Sequence, residues 1–291
     1  YGFVRINSFS LDLPGLHSFI NDSGKNSREL EKSFMKRIVI LCLLLVLSTL
    51  SFAEELNSRI LIPAGLSIVG TDLNELKAQL QGKKAKVEWY IDETQKRKIK
   101  VNSFMIDSTE VTNKQYKEFN PDHMYPQNLE NHPVVNATWQ EANKFCRKAG
   151  GRLPKEAEWE RAARGDEGLV YPWGNEFIPG NVVFLGSRGK GKDSSKLKVG
   201  SYALQESAAT LLGGTKPVGS IKNGKSPFGV YGMAGNVWEW IDGWYDEKKI
   251  RLLKGGSWLS PASSVRAAVR LGDFGESRFN DYGFRCAYDL N

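Results

Sequence analysis

Thiols and imidazoles are scarce in this chain, which carries three cysteines and three histidines in 291 residues. Only His123 and His132 lie beyond residue 53, too few for a histidine-rich metal site, and no Ser, His, Asp spacing suggests nucleophilic catalysis. Past residue 53 the cysteines number two, Cys146 and Cys286. An even pair in an exported chain favours one disulfide over a metal site, which would want more Cys and His. No Pro/Ser-rich linker and no fixed-period repeat divides the sequence, so a multi-domain array is excluded in favour of one compact domain. Long hydrophobic runs are missing too, apart from one short run near the start.

That run belongs to MKRIVILCLLLVLSTLSFA, residues 35–53, where Lys36 and Arg37 precede apolar residues from Ile38 and small residues follow at Ser51 and Ala53. The pattern is that of a secretory signal peptide; the run is short for a membrane span and no basic stop-transfer cluster follows. Residues 1–34 then read as upstream or non-native sequence, and the folded domain as 54–291. Cys42 follows only four apolar residues and directly follows bulky Leu41, so lipidation is the secondary reading. The expected destination is the cell surface or outer envelope, with a periplasmic or secreted form as the alternative. Any membrane attachment would run through that lipid.

The composition is that of a globular protein, 41% hydrophobic and 11% aromatic, with enough apolar mass for a sizeable core. Six Lys/Arg and four Asp/Glu fall in residues 1–53, so the formal charge drops from +7 to +5 beyond them. The basic residues gather at Gly82 to Val101 and Ser187 to Ser201, dispersed among Gly, Ser and acids, with Trp89 and Tyr90 the two aromatics among them. They read as solvated loops and hairpins, and a nucleic-acid partner is not expected.

Ser58 to Gly70 predicts two short strands broken at Pro63-Ala64-Gly65, and Arg97 to Val101 with Phe104 to Asp107 predicts a hairpin. Thr112…Gln115 and Thr138…Glu141 have capping-box form; the first predicts a helix to about Phe119, the second one closed by Gly150-Gly151 with Cys146 on its apolar side. A third helix, Pro154 to about Arg164, places Trp159, Ala162 and Ala163 on one face. From Gly168 on, Gly, Pro, Asn and aromatics dominate and regular structure should be low, held by aromatic packing and side-chain to backbone hydrogen bonds.

The motifs ILIPAG, FMIDSTEVTNKQYKEF, HPVVNATWQEANKFCRKAGGRLPKEAEWERAARG, YPWGNE, PFGVYGMAGNVWEW, LKGGSW and YGFRCA, in this order, resemble the formylglycine-generating-enzyme (sulfatase-modifying factor) family. The resemblance covers nearly all of Ser58 to Tyr288. It implies an α+β, C-type-lectin-like fold with little regular secondary structure, and it matches Cys146 and Cys286 to the family's structural disulfide between the second helix and the C-terminal strand. Members that make formylglycine carry a copper-binding cysteine pair just after the motif matching Gly255-Gly256-Ser257-Trp258. Here Leu259-Ser260-Pro261-Ala262-Ser263-Ser264 follows, and a serine hydroxyl cannot supply the soft thiolate that binds copper(I). The resemblance therefore implies no enzyme and no copper. Asn236 and Glu239 resemble residues near a family calcium site, but two side chains are few for a cation wanting six to eight oxygens, and a buried hydrogen-bond network is favoured. No cofactor and no metal is expected.

The same C-terminal stretch also resembles that of the variable proteins of diversity-generating retroelements, the treponemal ones above all. In that group the segment between GGSW and GFR is rewritten at template adenines, and Trp, Met, Gln, Lys and Glu do not arise. Leu259 to Tyr282 holds one of those five types, Glu276, where average usage would give roughly five. Val265 to Ala268, Arg270 and Arg278 match the fixed punctuation. The resemblance implies a non-catalytic, ligand-binding surface protein, expected as a monomer, that contacts an unidentified protein or cell-surface ligand through Ser260, Ser263, Ser264, Leu271, Gly272, Asp273, Phe274, Phe279, Asn280, Asp281 and Tyr282. A divergent oxidase of the family and a structural envelope protein are the alternatives. Trp258, Val265, Phe284 and Cys286 read as core anchors.

Overall fold

The computed structural model describes residues 34–40, 59–187, 214–246 and 248–290. Two compact units divide the chain at Leu56/Asn57. In the first, residues 34–40 are helical; the remainder of the segment read as a signal peptide, with Cys42, lies outside the described residues, as does the basic run from residue 188. Among the described residues no helix is long and apolar enough to cross a membrane.

The second unit opens with strands β1 (Arg59–Ile62) and β2 (Gly65–Val69), and later β3 (Arg97–Val101) and β4 (Phe104–Asp107). The hairpin expected of β3 and β4 does not form. β3 pairs with β2 from Gly65↔Val101 to Val69↔Arg97, and β4 pairs with β1 from Arg59↔Asp107 to Ile62↔Phe104. The cause is a shared corner at Pro63-Ala64 and Asn102-Ser103, where the Ala64 N–H donates to the Ser103 hydroxyl at 3.0 Å. The Arg161 guanidinium fills the corner, donating to the carbonyls of Pro63 at 2.9 Å and Leu66 at 3.0 Å. A Cβ on Gly65 would stand 2.4 Å from that guanidinium, so a larger residue there would displace it.

Helices α1 (Leu73–Leu80), α2 (Asn113–Phe119), α3 (Trp139–Lys148) and α4 (Glu156–Arg164) follow. The capping boxes at Thr112 and Thr138 are both made. A third, Asp72 with Glu75, starts α1, and a 3₁₀ segment, Val87–Thr94, comes next; neither was expected. α4 differs from its expected amphipathic form, since Glu158 through Arg164 are all buried. Its charges are consumed internally: Arg164 donates to the carbonyls of Ile68, Gly70, Gly168 and Leu169 and pairs with Glu160 at 2.7 Å.

The C-terminal part contributes β5 (Trp238–Trp244), β6 (Arg251–Lys254), β7 (Arg270–Asp273), β8 (Tyr282–Gly283) and β9 (Ala287–Asp289). The sheets run β1-β4-β9, β2-β3 and β7-β6-β5-β8. One core packs α2 and α3 against the last sheet through Tyr116, Ala142, Trp240, Leu253 and Phe284. A second packs α4 through Trp159, Ala162 and Ala163 against Phe104, Ile241 and Leu252. Cys146 and Cys286 are disulfide-bonded in the first. This is an α+β, C-type-lectin-like architecture.

Candidate functional site

The segment from Leu253 to Cys286 leaves the four-stranded sheet at β6, rejoins it at β7 and again at β8, and its two ends are rigid for identifiable reasons. Gly255 and Gly256 have φ of 96° and 77°, and a Cβ on Gly256 would meet the Ser264 carbonyl at 2.5 Å. Beneath them lie two fully buried ion pairs. Lys254 donates to Glu160 at 2.8 Å and to the Ala268 carbonyl, while Arg285 binds both oxygens of Glu239 at 2.7 Å.

The part nearest Trp258 turns inward. The Ser257 N–H donates to Ser260 Oγ at 2.9 Å and the Ser257 hydroxyl to Asp281 Oδ2 at 2.7 Å. Burial pushes the Asp281 carboxyl up to about 6, against the Ser257 hydroxyl, which favours its ionised form. Tyr90, from the 3₁₀ segment, holds the hydroxyls of Ser263 and Ser264 at 2.8 Å each. Arg266, buried over the Tyr90 ring, pairs with Glu93 at 2.7 Å. The sequence reading missed Tyr90 and Glu93, and nothing local marks them: their role depends on a contact more than 170 residues away.

Four of the eleven expected ligand contacts are therefore corrected. Ser260, Ser263, Asp281 and Tyr282 are buried. The serines close turns, and Tyr282 packs edge-on against Trp240 and donates to Asp273 at 2.9 Å. Ser264, Leu271, Gly272, Asp273, Phe279 and Asn280 are half-buried; Phe274, at 57%, is the exposed one of the set. Leu271 borders the core, Gly272 lies against the Tyr245 ring, and Asp273 caps its own loop by accepting from the Phe274 N–H and the Ser277 hydroxyl. Val265 is core, as expected.

The loop 274–280, between β7 and β8, is laid on the N-terminal end of α3 by backbone bonds and by the Arg278 side chain. The Trp139 N–H donates to the Gly275 carbonyl at 2.9 Å and the Asn136 N–H to the Phe279 carbonyl at 3.0 Å. Arg278 donates to the Asn136 carbonyl and pairs with Glu141 at 2.6 Å. Replacing Phe274, Phe279 or Asn280 removes none of these four bonds.

Asn236 and Glu239 sit in a buried hydrogen-bond network. Asn236 donates to Glu110 at 2.8 Å and accepts from the Lys216 N–H at 2.9 Å; Glu239 also accepts from Trp159 Nε1 at 2.8 Å. With both Glu239 oxygens engaged by Arg285 and Trp159, and the Asn236 carbonyl by Lys216, these residues do not fit a calcium ion. Copper fares no better, since both cysteines beyond residue 53 are consumed by the disulfide. The His132 Nδ1 lies 2.9 Å from the Thr215 hydroxyl.

Residues 49–290 match the sulfatase-modifying factor enzyme 1-like domain. An inactive C-alpha-formylglycine-generating enzyme 2 of Bos taurus is 35% identical over 163 residues, which are 53% of this chain and 50% of that protein. The formylglycine-generating enzyme of Thermomonospora curvata is 34% identical over 183 residues, 55% of this chain and 56% of that protein. The chain thus spans about half the length of the curated relatives it matches. Treponema denticola variable protein 1 superposes with a TM-score of 0.57 at 19% identity, covering 80% of this chain and 95% of that one, and shares the fold.

Proposed function

The chain belongs to the sulfatase-modifying factor enzyme 1-like family, and we propose that within it this protein is a non-catalytic binder that presents the loop 274–280 to a macromolecular ligand. The observation that carries this reading is the division of labour in the C-terminal segment. Backbone bonds and Arg278 fix the loop's course, while Phe274 is exposed and Phe279, seated on the Tyr282 ring, is half-exposed. Exposed and half-exposed rings suit a binding surface, because they supply contact area at low entropic cost. The surface is narrower than the sequence implied, because the inward serines and Tyr282 belong to the scaffold. Export to the cell surface or outer envelope, and a monomeric state, go with this reading.

Two measurements test it. The variant Phe274→Ser with Asn280→Tyr is expected to melt within a few degrees of the parent, since exposed and half-exposed changes cost about 0.5 kcal/mol each. In a screen against arrayed cell-surface proteins its partner profile should change. An unchanged profile would remove the loop from the binding surface. The gene's neighbourhood should also hold a second copy of the segment, differing at adenines, beside a reverse transcriptase gene; a neighbourhood without both argues for a fixed surface.

The non-catalytic half of the proposal has its own test. With or without copper, the purified protein should leave a sulfatase-type cysteine peptide unmodified in mass, because Ser260 occupies a turn rather than offering a thiolate. Turnover above that of a boiled control would refute it.

A further inference from the structure

Arg251 opens β6 at the rim of the four-stranded sheet, and its guanidinium is stacked on two indoles. Its central carbon lies 3.5 Å from the ring centroid of Trp139 and 3.6 Å from that of Trp244. Two indoles cannot share one face of a guanidinium at those distances, so the plane is covered on both sides. Trp139 is itself fixed, its Nε1 donating to the Ile241 carbonyl at 2.8 Å. Stacking holds the orientation of the guanidinium but satisfies none of its five N–H donors.

Those donors have no acceptor among the described residues. The nearest carboxylates are committed elsewhere or stand off. Asp273, opposite Arg251 in the β6–β7 register, spends its oxygens on the Phe274 N–H, the Ser277 hydroxyl and the Tyr282 hydroxyl. Asp242 acts only at a distance, and burial, partly offset by Asp242, holds the Arg251 guanidinium below its ordinary proton affinity. Other arginines around the loop, Arg270 and Arg278, are paired. Arg251 is a partly exposed, oriented cation whose edge meets no acceptor among the described residues.

The stem of Arg251 lies against the loop. A Cβ on Gly275 would stand 3.4 Å from Arg251 Cγ and 3.2 Å from the Gln140 amide, so the backbone beside Phe274 touches the arginine's stem. Phe274 is 57% exposed and Trp244 37%, which puts apolar surface at the same rim.

We propose that Arg251, clamped between Trp139 and Trp244, is a constant carboxylate-binding subsite that anchors an acidic segment of a protein partner beside the exchangeable loop. Covered faces exclude the stacking by which a nucleic-acid base would bind, and leave in-plane approach, the direction in which a planar carboxylate takes two parallel N–H bonds. Phe274 and Trp244 would receive the apolar residues flanking that carboxylate. Division between a fixed anchor outside residues 259–282 and a replaceable loop inside them lets ligand choice change without losing the charge-assisted contact. The inference deepens the binding function proposed above and rests on it for the partner's being a protein.

The test uses the full chain and a capped hexapeptide of alternating leucine and glutamate, with its glutamine counterpart as control. Titration followed by the Arg251 Nε–H resonance should show a shift with the glutamate peptide and an affinity about tenfold above that of the glutamine peptide. Arg251→Lys keeps the charge but not the planar fork, and should abolish the preference while keeping the melting temperature within a few degrees. The assignment is overturned if neither peptide binds at millimolar concentration, if both bind equally, if the lysine variant keeps the preference, or if millimolar inorganic phosphate displaces the peptide. Should Arg251 fail while the exchanges at Phe274 and Asn280 still redirect binding, the anchor falls and the binding loop stands; the opposite result reverses that judgement.

Discussion

Replacement of Arg285 by methionine is expected to destabilise the fold by about 3–5 kcal/mol, the usual cost of removing one partner of a buried ion pair. Arg285 is fully buried and gives Glu239 two bonds of 2.7 Å, the Tyr231 carbonyl one of 2.8 Å and the Asp107 carbonyl one of 3.2 Å. Glu110 lies 4.0 Å away and is buried as well. Methionine fills the space and supplies no donor, so two carboxylates and two carbonyls lose their shared cation. The pair itself adds little net stability, since desolvating both ions offsets most of their attraction; the loss comes from what is left behind. Accordingly, Arg285→Met combined with Glu239→Gln should recover a good part of it, because the amide oxygen still accepts from Trp159 Nε1 and carries no charge.

The same variant should show a signed pH dependence. Burial raises the Glu110 carboxyl to about 7 in the intact protein, with Arg285 the main influence pulling it down. A carboxyl whose folded value exceeds its unfolded one stabilises the fold when protonated, fully below about 4.5, and that contribution is lost as pH rises through about 7. Without Arg285 the folded value climbs further, so the loss is larger at pH 7.5 than at pH 5. Urea denaturation at both pH values should therefore give a penalty for Arg285→Met that shrinks on acidification. An equal penalty at the two pH values would mean that packing, not charge, governs the site.

Much of the scaffold was legible because its signals are local. Capping boxes at Thr112 and Thr138 mark helix starts by residues three apart, and Gly165 ends α4 with a φ of 65°. The box at Asp72 and Glu75 is equally local, and Leu73, Leu76 and Leu80 follow it at helical spacing, so α1 is marked by the same kind of signal. What the sequence could not show were pairings set by distant partners. β3 and β4 look like a hairpin from composition alone; only the corner, with Arg161 reaching in from α4, sends them to different sheets. Burial of serine was illegible for the same reason. Ser263 is buried because Tyr90 sits over it, and Asp281 because Ser257 reaches across 24 residues to it. Small polar residues in a loop look alike until the opposite wall is known. Arg251 was overlooked on the same ground, because its indoles come from α3 and the end of β5.

Removing the disulfide is the second large effect expected. Cys146, in the last turn of α3, and Cys286, just before β9, are 140 residues apart, so the bridge closes most of the domain into one loop. Loop-closure entropy for that length sets a ceiling of about 5 kcal/mol, and native disulfides in exported domains commonly contribute about 2–5 kcal/mol. The double substitution Cys146→Ala with Cys286→Ala is the informative one, because a single change leaves a free thiol in the core. Its loss should not be uniform. Cys286 stays tied to Asp107 through its N–H, bonded to Asp107 Oδ2 at 2.9 Å, and its carbonyl, which accepts from the Asp107 N–H, whereas the bridge joins α3 directly to that strand. The N-terminal end of α3 carries the loop 274–280 through Trp139, Asn136 and Glu141. Hydrogen exchange in the double variant should therefore accelerate in α3 and in this loop more than in β1 and β4, which pair independently of the bridge. Native-state exchange and urea denaturation, compared with the oxidised parent, measure both parts. A loss under about 1 kcal/mol, or acceleration spread evenly over the domain, would show that packing around Tyr116, Phe145 and Phe284 fixes α3 without help from the bridge.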